Sequence, residues 1–308
     1  MIYSKYYIFA NTIYYKLMKM KRYKFILFLA MVMVFTACGT TQTVPLTGRK
    51  HNLLFSDSEI LSYSNQEYSK YMQSAKKSTD MASTAMVQRV GKRLAAAVDT
   101  YLKNNNMASE IQNYSWEFNL VADKEVNAFC MPGGKIVVYE GLLPVTQNEA
   151  SLAVVLGHEI AHAVAKHSAE QMSKKARQQY GTMALGSILN SAVGSGAGDF
   201  ASGIAGEYFS FRNLKYSRDN ESEADYMGLI FAAMAGYNPE VAVSFWQRMA
   251  LQGGSSNNND LFSDHPSDSK RIAAIEKLMP DALKYYQASG YVNNNNVVKK
   301  STSKSYRK

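Results

Sequence analysis

Cysteine is almost missing from this chain: Cys38 and Cys130 are the only two in 308 residues. Two cysteines cannot build a disulfide framework, so stability has to come from a buried core and from any metal the chain binds. Acidic residues are missing from both ends. Residues 1–38 hold six Lys/Arg and residues 299–308 hold five, with no Asp or Glu in either stretch. The formal net charge of +9 therefore belongs to the ends, since 23 of the 34 basic residues remain in the body against all 25 acidic ones. That balance excludes a basic face for nucleic acid. Internal repeats are absent, which excludes a solenoid. The length allows one large domain or two small ones, each with a real core.

The N-terminus has the plan of an export signal. Lys21-Arg22-Tyr23-Lys24 leads into an apolar stretch, Phe25 to Phe35, that is short for a bilayer span and ends in Thr36-Ala37-Cys38. Phe35-Thr36-Ala37-Cys38 resembles a bacterial lipoprotein lipobox, with Phe35 where Leu is usual, and Met18 or Met20 is an alternative start. This reading makes 1–37 a signal peptide and Cys38 a lipidated residue that tethers the chain to a membrane. An uncleaved anchor helix is the alternative. Both put the body outside the cytoplasm; the lipidated reading makes it lipid-anchored and periplasm-facing in a bacterial envelope, with the outer membrane preferred.

Histidine is scarce too, with five residues, yet three of them fall within Ser151–His167, SLAVVLGHEIAHAVAKH. In His158-Glu159-x-x-His162 the histidines are four apart, one above the other on a helix, and can share one metal ion. Glu159 then stands beside the metal as a base for a water that the metal acidifies. The pentapeptide alone is also what a helix with two hydrogen-bonded histidines looks like. Its apolar setting favours the metal, because buried imidazoles and a buried carboxylate are costly without a partner.

The rest of the chain reads as α+β, predominantly α-helical. Residues 39–55 form a tether with a turn at Pro45–Arg49. Ser56-Asp57-Ser58-Glu59 opens a helix to about Ser74, and a second helix runs from Met81 to about Leu102. Trp116, Phe118 and Leu120 alternate in a half-buried strand, and Lys135–Tyr139 is another strand, either ordinarily paired or an edge that an extended peptide could join. The motif helix opens at Asn148-Glu149 and continues to about Gln178. Residues 180–211, rich in Gly, Ala and Ser, suit a flap, a membrane-contacting loop or a plain helical hairpin. Helices follow at Glu221–Met234, from Val241, and at about Asp268–Tyr286. The domain expected over 56–291 precedes a basic tail, 292–308, of disordered composition.

A catalytic zinc needs a third protein ligand and an open position. His167 falls one place short of the extended H-E-x-x-H-x-x-G-x-x-H spacing, where Ser168 stands, and Ala165 replaces its glycine; His167 is read as structural. Glu221 in Ser217–Asp225, SRDNESEAD, is the better third ligand. Asp225, one turn on, can accept the outer N–H of a ligand histidine. The same acids would also suit a helix N-terminus with no metal present.

Together, HEIAHAVAKH at 158–167 and SRDNESEAD at 217–225 resemble the zinc metallopeptidase family of the CAAX prenyl protease, HtpX and the mitochondrial Oma proteases, in its bacterial lipoprotein branch. PLTGR at 45–49, NAF at 127–129, PGG and GLL within 132–143, and HPSDSKRI at 265–272 extend the likeness over nearly the whole body. The resemblance implies a zincin-like domain with a small sheet beside the HExxH helix. It implies one Zn2+ per chain on His158, His162 and Glu221, with Glu159 as base and proton donor and Asp225 as orienter. It gives His265 one of two roles: near the zinc, to stabilise the oxyanion or close the site in a latent state, or as a residue that structures its loop. The implied function is a membrane-anchored endopeptidase acting on misfolded or unassembled envelope polypeptides. A chaperone-like assembly factor, gripping clients along the Lys135–Tyr139 edge around a latent or structural zinc, is the alternative.

Overall fold

The computed structural model describes residues 39–189, 211, 214–252 and 269–290. The signal-like leader with Cys38, most of the 180–211 stretch, His265 and the basic tail lie outside the described residues.

Two short strands, β1 (Thr40–Thr43) and β2 (Lys50–Leu53), pair antiparallel across the Pro45–Arg49 turn. Helix α1 (Asp57–Ser74) starts with the expected capping box, in which the Ser56 hydroxyl accepts from the Glu59 N–H and Glu59 accepts from the Ser56 N–H. Helix α2 (Met81–Asn104) buries Val87, Val90, Leu94 and Val98 along one face. Three strands follow: β3 (Glu117–Val121), β4 (Ala128–Met131) and β5 (Lys135–Tyr139). Their order is β3-β5-β4, with β5 parallel to β3 and antiparallel to β4.

Strand order corrects one expectation. Lys135–Tyr139 is the central strand, hydrogen-bonded on both sides, so it offers no edge to a client peptide. The edge beside the motif helix belongs to β4, which sequence reading passed over. All four β4 residues are buried, so it shows none of the alternation that marks a strand with one wet face.

The motif helix, α3 (Glu149–Val164), is capped by Asn148, whose side chain accepts from the Ser151 N–H at 2.9 Å. Every residue from Ser151 to Val164 is buried, as befits a helix enclosed on all sides. It packs on β4 and β5, and most extensively on α5 (Arg218–Met234). The two axes meet where glycine faces glycine: a Cβ on Gly157 would lie 2.6 Å from the Gly228 carbonyl oxygen, and one on Gly228 would lie 2.5 Å from the His158 nitrogen.

The expected continuous helix from 149 to 178 is broken. Lys166 takes a left-handed conformation (φ 54°) that ends α3, and α4 (His167–Leu189) starts in a new direction. A lysine is unusual there, and its ammonium is anchored by Gln42, Asp57 and Glu110 at 2.8, 2.8 and 2.9 Å. Those contacts also draw the β1–β2 hairpin onto the body, so residues 39–55 are docked structure where a tether was expected. Helix α6 (Val241–Gln252) packs on α3 and on α7 (Ser269–Ala288), and α7 packs on α5. Among the described residues no helix is long and apolar enough to cross a membrane.

Candidate metal centre

Helix spacing and the glycine crossing bring three donors together. On α3, His158 and His162 point their Nε2 atoms at one spot, 3.1 Å apart. From α5, Glu221 reaches the same spot, one oxygen 3.4 Å from His158 Nε2 and the other 3.4 Å from His162 Nε2. All three residues are buried. Donors on a tetrahedral ion with bonds of about 2.0–2.1 Å stand roughly 3.3 Å from each other. The 3.1 Å between the two Nε2 atoms is close to that spacing, a different Glu221 oxygen lies 3.4 Å from each of them, and the donor set suits zinc. Glu159 is buried beside them on the same helix.

Behind the donors stands an acid–arginine pair. Asp225, one turn after Glu221, accepts from His158 Nδ1 at 2.9 Å. It is gripped by Arg271 of α7, Nη2 to Oδ1 at 2.7 Å and Nε to Oδ2 at 2.8 Å. The Arg271 guanidinium is buried and lies 3.7 Å over the Trp246 ring of α6. Burial works against charge on both Asp225 and His158. The Arg271 charge and the His158 contact nevertheless hold the Asp225 carboxyl low, while hydrogen bonds to Asp225 and Glu221 push His158 up to about 9. Two carboxylates thus draw positive charge to the spot where a cation would sit.

His162 is supported differently. Tyr216 stacks on its ring at 4.1 Å, and the Tyr216 hydroxyl meets Ser168 at 2.9 Å. Its Nδ1 lies 2.9 Å from His167 Nδ1, and His167 Nε2 lies 2.9 Å from Glu223. His167 is fully buried. The left-handed Lys166 is what turns it back towards His162, a signal that ligand spacing alone could not show.

Farther out, Arg49 of the hairpin turn joins Glu223 and Glu170. Burial alone would raise the Glu170 pKa, but the His51 ring 3.6 Å away, hydrogen bonds from Arg49 and Lys174, and the Arg49 charge hold it far below the usual carboxylate range. A depressed folded pKa stabilises the fold fully above the ordinary value of 4.5, and this stability is lost as pH falls towards the folded value. The melting temperature should therefore drop as pH is lowered from 5 to 3, and drop less steeply for Glu170→Gln. Parallel acid slopes for the two proteins would contradict this.

The model of peptidase family M48 matches residues 81–279 of this chain. The mitochondrial metalloendopeptidase OMA1 of Schizosaccharomyces pombe is 37% identical over 201 residues, covering 65% of this chain and 54% of that one. The mitochondrial metalloendopeptidase OMA1 of Homo sapiens is 29% identical over 249 residues, 78% of this chain and 46% of its own. The beta-barrel assembly-enhancing protease of Yersinia pestis is 31% identical over 163 residues, 51% of this chain and 33% of its own. The chain thus spans about half the length of these relatives, or less. The OMA1 relatives are mitochondrial proteins of eukaryotes, which overturns the expected bacterial, periplasm-facing envelope location. A basic leader without acids is a poor discriminator, because organelle transit peptides share that composition with secretory signals.

Proposed function

The chain belongs to peptidase family M48, and from that premise we propose that it is a zinc-dependent endopeptidase that cuts unfolded or unassembled polypeptides. The observation that carries this reading is the buried cluster of His158, His162 and Glu221 donors, close enough together to share one ion. A divalent metal held there supplies Lewis acidity, which polarises a carbonyl and lowers the pKa of a water to about 7.

The chain's own residues do the rest. Glu159 takes a proton from the attacking water and returns it to the departing amine nitrogen, so one carboxylate serves as base and then as acid. Asp225 holds His158 in the tautomer that carries its proton on Nδ1 and leaves the Nε2 lone pair for the metal. Arg271 keeps Asp225 charged and aimed. An extended chain laid along the outer edge of β4, the strand on which α3 packs, would pass close to these groups. Only an unfolded or unassembled segment can supply such a backbone, and this supports the substrate class.

The test is zinc content beside hydrolysis of an unfolded model protein, before and after chelation. About one zinc per chain, with cleavage lost on chelation and regained on adding zinc, is the expected result. Cleavage that persists after complete zinc removal would end the proposal. The assembly-factor alternative would have to grip clients elsewhere than Lys135–Tyr139, because that strand is the occupied centre of the sheet.

A further inference from the structure

We propose that Glu223 and His167 are positioning residues for the ligand His162, and that the Thr47–Arg49 turn holds Glu223 in the orientation that lets them act. The inference rests on the metal-site reading above and extends it to the N-terminal hairpin.

Two imidazole nitrogens 2.9 Å apart can share only one proton. Glu223 decides where it sits. Its carboxylate can only accept, so His167 Nε2, 2.9 Å away, carries a proton and donates it. His167 Nδ1 is then bare and accepts from His162 Nδ1. With its proton fixed on Nδ1, His162 presents the Nε2 lone pair to the metal. This assignment satisfies the contacts of His162 Nδ1, His167 and Glu223, and it is the one that metal binding requires.

Glu223 is itself fixed from the hairpin. Thr47 Oγ1 donates to its Oε1 at 2.5 Å, and Arg49 Nε donates to its Oε2 at 2.8 Å. The remaining guanidinium nitrogens of Arg49 pair with Glu170 at 3.2 and 2.8 Å, which keeps Arg49 from swinging away. His167 and Glu223 are buried, so water cannot substitute for either contact. Each ligand histidine therefore has an arginine-clamped carboxylate behind it. For His158 the pair is Asp225 and Arg271, in direct contact; for His162 it is Glu223 and Arg49, acting through His167. The second clamp comes from a turn that ends 100 residues before α3 begins.

The test measures zinc affinity of the full chain by competition with a chromophoric chelator, and the melting temperature of each metal-free protein. The variants are Glu223→Gln, His167→Phe, Arg49→Met and Thr47→Val. Zinc affinity should fall about 10–100-fold for the first two, the usual cost of losing such outer partners, and less but in the same direction for the hairpin variants. Rescue is expected from Arg49→Lys, which restores a donor to Glu223. Folded metal-free variants that bind zinc as tightly as the parent would overturn the inference and leave the metal site standing. A parent that binds no zinc would overturn the metal reading first, and this inference with it. If His167→Phe does not fold, Arg49→Met and Thr47→Val decide the matter.

Discussion

A chain carrying Glu159→Gln is expected to hold its zinc and stay folded while peptide hydrolysis slows by about 10²–10⁴-fold, the share that a well-placed general base contributes. Glutamine preserves the shape of the buried side chain but cannot take a proton from water. Glu159 is also not one of the three clustered donors, so zinc content should not change. Zinc stoichiometry and initial cleavage rates on the same preparation separate the two effects. Equal rates for parent and variant would remove Glu159 from the chemistry. Zinc lost along with activity would instead make it a ligand, and the donor triangle would need redrawing.

The second large effect comes from a residue with no side chain. Gly228→Ala would place a methyl 2.5 Å from the His158 nitrogen and 2.7 Å from the Gly157 carbonyl carbon. Both neighbours are helix backbone, which cannot rotate out of the way as a side-chain end can. The strain can be relieved only by moving α5 away from α3, and α5 carries Glu221 and Asp225. Overpacking of this kind typically costs about 1–3 kcal/mol. Here it would also open the 3.4 Å gaps between Glu221 and the histidines. Lower melting temperature together with lost zinc binding is the expected outcome, and Gly157→Ala should repeat it from the other side. A Gly228→Ala protein with parental stability and zinc affinity would show that the crossing tolerates a methyl.

These expectations differ in how visible they were before the fold was known. His158 and His162 could be read directly, because an i, i+4 pair on one helix needs no tertiary information. Glu221 and Asp225 were legible as acids at helical spacing, although their meeting with α3 depends on a glycine contact that leaves no pattern. Arg49 could not be found this way: it sits 174 residues from Glu223 in a segment with no helical period. His167 was read as structural, and it is buried; its contact with His162 could not be read, because it depends on the left-handed Lys166, where no Gly or Pro announces a break. Most helices were legible because their apolar stripes repeat, but the break at Lys166 was not. The sheet was not: pairing order is a property of three segments together, and β4, buried at all four positions, shows no period.

The long reach of the Arg271 and Arg49 contacts also bears on when the enzyme becomes competent. Arg49 is among the first described residues to leave the ribosome and Arg271 among the last, and a growing chain cannot grip Asp225 until α7 has been made and docked. Contacts so distant in sequence form late, after local helices and the sheet. Until then the carboxylate behind His158 has no arginine clamp, although His158, His162 and Glu221 have all been made.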